Sequence, residues 1–439
     1  MLLLCGLLGA LVGRLCFRRW FNHITLYSII WGMGLALYEI GLIRYPRLAI
    51  AVWLMVLTAW VAFLIGSVLP ALANRAVAVG QTGDCSPRSW SAHNQETRLL
   101  AIAILILTVL ALFAVINHWV VLINRFGSIT NVLLNGYQVY RLRTTGHAAS
   151  IGVIPYVDSF ALAACCLGGI YAARKGRMTL LALLPLLTLV MEDIAQAGRA
   201  KMLIGSLLFF SAFFLTKRRM PAGGAAPAAR ARFRSVILLV FLGIILVGAF
   251  EFVRFYRGAN EVFYGMSRQL GEFTGTGFIT PSVYLYLSSH VGVFNAYWNA
   301  GGESFFPGAN TFAPLFRVLA KFELADAVPF FQKFYNVPVS TNTGTYLREL
   351  HADFGLAGVL LAPFLIGWLC TFFMTRTKRQ PRLVNLIVLT HLYLIVMFSF
   401  FYQITRLGEW LISLLTALAV AMLVDLNRYL HRILRVGHT

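Results

Sequence analysis

The sequence predicts an all-α, polytopic membrane protein with about eleven transmembrane helices and one large extracytoplasmic loop, and three observations carry that reading. Of 439 residues, 59% are hydrophobic and 12% charged, with a mean hydropathy of +0.76. This is more apolar surface than a soluble core of that size can hide. Runs such as LLAIAILILTVLALFAVI (99–116) carry no charge, and they are long enough to cross the roughly 30 Å hydrocarbon layer. Finally, the net charge of +21 comes from 37 Lys and Arg against 16 Asp and Glu. The basic residues sit in short clusters between apolar runs, which points to membrane orientation and anionic lipids rather than to nucleic acid.

Taken in order, spans are expected near 1–17, 24–43, 48–73, 98–120, 151–172, 178–196, 200–216, 235–253, 354–375, 383–404 and 409–426. The first, MLLLCGLLGALVG, has the length of a signal-peptide core. Its basic flank Arg18-Arg19 follows it, however, the reverse of a secretory signal, so a retained helix with its N-terminus outside is expected. Eleven spans from that start place the densest basic linkers (Arg18-Arg19, RKGR at 174–177, the arginines of 217–234, RTKRQPR at 376–382, and Arg428, Arg432 and Arg435) on the cytoplasmic side. The chain then divides into N-terminal helices (1–253), an extracytoplasmic loop (254–350) and C-terminal helices (351–439). PAGGAAPAAR (221–230) reads as a flexible cytoplasmic tether. The six cysteines show neither CxxC nor His-paired spacing, so no disulfide, metal or cofactor is expected.

The chemistry is expected in and around the loop, which is rich in Arg, aromatics and Gly. Lipid-facing arginine costs about 2.5–3.5 kcal/mol at a helix centre, so arginines near outer helix ends should face a wet cavity or partners. Arg199, Arg254, Arg257, Arg348 and Arg406 are candidate ligands for an anion, because each offers a planar fork of donors matched to phosphate oxygens. Gly198-Arg199 stands at a turn before an apolar helix, where backbone N–H groups would form an anion cradle. Glu192 lies near the outer end of the preceding span. In TYLRELHADFG (345–355), Glu349 and Asp353 share a helical face while Arg348 points about 100° away. His351, Glu349 and Glu192 are candidate general bases, with His351 favoured by its reference pKa of about 6.5. Arg199, Arg254, Arg257, Arg348, Arg406 and Asp353 are the candidate substrate-binding set. The loop tyrosines Tyr256, Tyr264, Tyr284, Tyr286 and Tyr297, with Trp298, could stack on sugars or simply line the membrane interface.

Three tracts carry a family resemblance. GTYLRELHADFGLAGVLLAPFLIG (344–367) resembles the Asp-Phe-Gly junction of bacterial oligosaccharide repeat-unit polymerases, the Wzy or O-antigen polymerase family. GRAKMLIGSLLFF (198–210) is similar to that family's Gly/Ser-Arg helix start, and NHITLYSIIWGMGLALYEIGLIRYP (22–46) to its opening helix. The resemblance implies a membrane glycosyltransferase that uses lipid phosphosugars. Its substrate would be an undecaprenyl-pyrophosphate-linked oligosaccharide, polymerised at the periplasmic face of a bacterial inner membrane alongside a flippase and a chain-length regulator. An O-antigen ligase-type enzyme, with lipid A core as acceptor, is the nearest alternative. A flippase or other transporter is a further one, although no internal repeat or midplane charge supports it.

Overall fold

A computed structural model describes residues 2–78, 90–144, 154–217 and 281–436, apart from 327, 330 and 381, together with 248 and 252. The expected span 235–253, the tether 221–230, Arg254, Arg257, Tyr256 and Tyr264 lie outside the described residues, save for the two isolated positions 248 and 252.

The chain is mostly helical. In order the helices are α1 (Leu2–Phe17), α2 (His23–Ile40), α3 (Ile50–Ala78), α4 (Trp90–Phe126), α5 (Ile129–Leu134), α6 (Gly136–Thr144), α7 (Phe160–Lys175), α8 (Leu180–Ala195) and α9 (Ala200–Lys217). Then come α10 (Pro281–Ser288), α11 (His290–Asn299), α12 (Ala313–Ala320), α13 (Tyr346–Arg379), α14 (Leu383–Phe398) and α15 (Gly408–Val436). Among the described residues six stretches are long and apolar enough to cross a membrane: Ile50–Ala73, Gln95–Phe126, Val157–Lys175, Ala200–Lys217, Tyr346–Arg379 and Gly408–Asn427. Helices also stand at four other expected spans, but α1, α8 and α14 have 16 residues each, about 24 Å at 1.5 Å per residue and short of the hydrocarbon thickness. The remaining one, α2, interrupts its apolar run with His23, Thr25, Ser28 and Glu39. The expected count of eleven thus reduces, among the described residues, to six full-length candidates.

The chain forms two compact units. The first comprises 1–84, 265–380 and 392–408. In it α3 packs on α13 through small residues: a Cβ at Gly66 would strike the Phe364 carbonyl, and one at Gly367 the Phe63 carbonyl. Close backbone approach of this kind is how apolar helices gain dispersion contact where lipid offers no hydrophobic drive. Two of the tracts singled out in the sequence meet here. The Tyr27 and Tyr346 hydroxyls share a 2.9 Å hydrogen bond, and Trp31 Nε1 donates to Ser399 Oγ at 2.9 Å. The Tyr346–Arg379 helix breaks at Gly355, where φ 60° and ψ −147° fall in a region open essentially to glycine alone. The Asp-Phe-Gly junction is therefore a hinge between a short buried helix and the apolar run that starts at Leu356.

The second unit comprises 85–264, 381–391 and 409–439. At its centre α7 is buried from Ala161 to Ala173, a run rich in Ala and Gly that lets α4, α8 and α9 close around it.

From Pro281 onward the expected loop is a folded part of the first unit. It contains α10, α11 and α12 and a two-residue antiparallel pairing, β1 (Tyr335–Asn336) with β2 (Ser340–Thr341). Tyr284 and Val339 pack against Ile43 in one small core, and Ala309, Ala313 and Val328 form another.

Candidate functional site

In the first unit the short helix before Gly355 is buried on most of its circumference: Tyr346, Leu347, Arg348, Glu349, Leu350, Ala352 and Asp353 are all buried. The segment 303–333 and the turn at Arg406 fold against it. Together they enclose a cavity of about 340 Å³, lined among others by Glu303, Asn310, Lys333, Arg348, Glu349 and Arg406.

Arg348, 2% exposed, is fixed at three points. Its Nη2 donates to Glu303 Oε1 at 3.0 Å and to the Lys333 carbonyl at 3.1 Å, and its Nη1 donates to the Asn342 carbonyl at 2.9 Å. The Tyr297 and Tyr335 rings flank the guanidinium at 5.7 and 5.2 Å, within cation–π range. Tyr335 also donates its hydroxyl to Glu303 Oε1 at 2.8 Å. Burial and the neighbouring Glu303 carboxylate push that phenol up to about 12, so it acts as a donor at neutral pH.

Arg406 lies in a single 3-10 turn, Ile404–Arg406. It donates to Asn310 Oδ1 and, at 2.9 Å, to the Pro329 carbonyl, which leaves further donors of its fork for a ligand. Burial pulls its guanidinium down from its ordinary value, while the nearby Glu349 carboxylate opposes that shift. Asn310 is held in turn by Asp353. Oδ1 of Asp353 accepts from Asn310 N and Nδ2, both at 2.9 Å, and Oδ2 accepts from Thr311 N and Oγ1, both at 2.7 Å. Asp353 is thus saturated by protein donors, and it acts on the cavity through Asn310 and Arg406.

Glu349 is the opposite case. It is 1% exposed, and among the described residues neither carboxylate oxygen has a hydrogen-bond partner. It faces the cavity with Arg348 and Arg406 as its cationic neighbours. A buried carboxylate with cations nearby and no donor of its own can take a proton or a ligand hydroxyl.

His351, next but one in sequence, lies apart from this lining. Its Nδ1 shares a 2.9 Å hydrogen bond with the Tyr297 hydroxyl, and its ring packs edge-on against Tyr297 and Trp298. Of the loop aromatics, Tyr284 is buried with its hydroxyl donated to the Leu37 carbonyl, and Tyr286 stacks on Phe401.

The second unit holds Glu192 and Arg199. Glu192 is buried and bonded to His118 Nδ1 at 3.2 Å; it accepts from Gln196 and lies 3.5 Å from Lys201 Nζ. Lys201 also pairs with Asp158. Among the described residues this is a buried polar network joining α4, the turn before α7, α8 and α9. At the expected anion cradle of Gly198-Arg199 one donor is already taken, because the Asp193 carboxylate accepts from Met202 N at 2.8 Å in the first turn of α9. Arg199 itself is half-buried at that turn.

Of the expected site residues, the structure therefore brings together Arg348, Glu349, Asp353 and Arg406. It places Glu192 and Arg199 in the other unit. Glu303, Asn310 and Tyr335 are contributors that no motif marked. Lys201 and Asp158 carried a weak signal, since each is a charge at the edge of an apolar run. Among the described residues no group of His, Cys, Asp or Glu is arranged to hold a metal ion. This chain matches no family model, and neither the curated proteins nor the solved structures contain a match to it.

Proposed function

We propose that this chain is a membrane glycosyltransferase that polymerises undecaprenyl-pyrophosphate-linked oligosaccharide repeat units at the periplasmic face of a bacterial inner membrane. The observation that carries the reading is the convergence of Arg348, Arg406 and an unpartnered, buried Glu349 on one cavity, within and beside the tract that resembles such polymerases. In the transfer, a hydroxyl oxygen of the acceptor sugar attacks the anomeric carbon of the donor. The bond from that carbon to the pyrophosphate oxygen breaks, and its electron pair leaves with the pyrophosphate. Arg406 and Arg348 stabilise the charge that develops there, and Glu349 receives the hydroxyl proton. Asp353 and Glu303 are positioning residues, the first through Asn310 to Arg406 and the second on Arg348.

The test is reconstitution of the purified chain in proteoliposomes with undecaprenyl-pyrophosphate-linked repeat units as sole substrate. A ladder of lengthening lipid-linked glycans is expected, and it should fall by about 10²-fold or more in Glu349→Gln, the usual weight of a positioned acid–base group. Product only when lipid A core is added would instead identify a ligase. A ladder undiminished in folded Glu349→Gln would remove Glu349 from the chemistry.

A further inference from the structure

The folded part of the loop carries an apolar surface that faces away from the protein. Around α12, Leu315, Val318 and Phe322 are 54, 50 and 69% exposed, and Phe312 at the helix start is exposed with them. At 100° per residue Leu315 and Val318 lie about 60° apart on one side of the helix, and Phe312 and Phe322 stand just before its first residue and just beyond its last. The opposite side is spoken for: Ala313 is buried, Phe316 packs on the Ala309, Ala313 and Val328 cluster, and Arg317 donates to the Arg406 carbonyl at 3.2 Å. So α12 is fastened by one face beside the cavity and presents a hydrocarbon face outward.

What covers the surface is indicated by its continuation. A Cβ on Gly308 would stand 3.1 Å from the Phe312 ring and 3.6 Å from the Phe354 ring, so the two aromatics flank one glycine. Phe354 is itself exposed and immediately precedes the Gly355 hinge. Beyond the hinge Leu356, Leu360 and Leu361 are exposed along a helix long and apolar enough to cross a membrane. The surface that such a helix turns to lipid therefore runs on to α12. Contiguous exposed hydrocarbon of this kind calls for an apolar counterpart, and the charged Lys321, Glu323 and Asp326 mark its polar edge at the end of α12.

We infer that the outer face of α12 lies in the interfacial layer of the bilayer, with Phe312, Leu315, Val318 and Phe322 among the acyl chains and headgroup boundary. The cavity lies beside α12, since Arg317 donates to the carbonyl of Arg406 in its lining, and the 43% exposed Phe331 brings that lining to the surface; with α12 so placed, the cavity mouth lies near the headgroups. On the reading proposed above, a lipid pyrophosphate reaches Arg406 there while its chain stays in the membrane. The position of α12 does not depend on that reading.

The experiment is nitroxide labelling of single cysteines, introduced by Leu315→Cys, Val318→Cys and Phe322→Cys after the six native cysteines are replaced, in proteoliposomes of phosphatidylethanolamine and phosphatidylglycerol. Power saturation compares collision with oxygen, enriched in lipid, and with a nickel chelate, confined to water. Leu360→Cys on the candidate span and Glu323→Cys at the polar edge give the two limits. Oxygen should dominate at 315, 318 and 322 as at 360, with the order reversed at 323. Dominance of the nickel chelate at 315 and 318 would show a water-facing surface and overturn the inference. Low collision with both reagents would show a protein partner and overturn it equally. Leu315 and Val318 give independent readings, so one poorly folded variant does not decide the matter. Phosphate recognition is tested separately, because Arg406→Ala removes a cavity cation while leaving the outer face of α12 unchanged.

Discussion

Replacing Asp353 should separate a clamp from a ligand contact. In Asp353→Ala all four accepted bonds disappear, two of them from the backbone N–H groups of Asn310 and Thr311. Asn310 is buried, so its N–H and side-chain amide lose their acceptor without gaining water, whereas Thr311 is half-buried and partly resolvated. A buried donor left unpaired costs about 1–3 kcal/mol. Two such donors at Asn310, with a smaller contribution from Thr311, put the loss at about 3–5 kcal/mol. Asp353→Asn should be milder. The amide oxygen can keep both Asn310 donors, and the Thr311 hydroxyl can rotate to accept from the new N–H. Only the Thr311 backbone N–H then goes unmet, for about 1–3 kcal/mol.

The assay is denaturant unfolding of the detergent-solubilised protein followed by tryptophan fluorescence, with the expected order wild type, Asp353→Asn, Asp353→Ala. Because Asn310 Oδ1 receives Arg406, the Ala variant should also weaken donor binding in proportion to its loss of order. Stability of Asp353→Ala within about 1 kcal/mol of wild type, below the cost of one stranded buried donor, would refute the clamp. It would return Asp353 to direct substrate contact.

Arg406→Lys keeps the charge but loses the fork, and should raise KM for the lipid-linked donor by about tenfold or more in steady-state assays of the reconstituted protein. His351→Gln should leave the rate within about threefold, the range of substitutions away from a network, since the ring lies off the cavity lining; loss of polymer in folded protein would reinstate it as the base. Lys201→Met strands Asp158 in the second unit and takes one cation from Glu192, which keeps His118 and Gln196. It should cost about 3–5 kcal/mol of unfolding free energy, and adding Asp158→Asn should recover part of that loss.

Helices were legible where apolar runs were long, because membrane solvent leaves the backbone no other way to satisfy its hydrogen bonds. The short helices of 281–320 were not. Their formation depends on docking against Ile43, Val328 and the 346–354 helix, which no local pattern encodes. The same holds for the site. Arg348, Glu349 and Asp353 stood out as charges clustered before an apolar run. Glu303 and Asn310, 45 and 43 residues from their partners, owe their role to tertiary contact alone. Helical phase placed Arg348 off the face of Glu349, yet both line the cavity because the helix is wrapped on several sides. Proximity to a turn favoured Arg199, but the buried ion pairs belong to Lys201, two residues on, where a side chain in the first turn of α9 points into the unit.

The contrast between Asp353 and Glu349, one turn apart on the same helix, bears on how the proposed transfer is driven. Asp353 is committed, since a ligand could reach its oxygens only by displacing Asn310 or Thr311. Glu349 has, among the described residues, no donor to displace. The cavity lining carries three formal positive charges (Arg348, Arg406 and Lys333) against two negative (Glu303 and Glu349), a net of +1. Transfer of the acceptor proton to Glu349 neutralises one of the negatives and takes the lining to +2. That change coincides with the build-up of negative charge on the departing pyrophosphate. The two events reinforce each other, because the attraction between the guanidinium groups and the leaving group is no longer offset by the neighbouring carboxylate. A base off the cavity lining, as His351 is, would accept the same proton without giving that electrostatic return, which favours Glu349 over His351 in the proposed transfer.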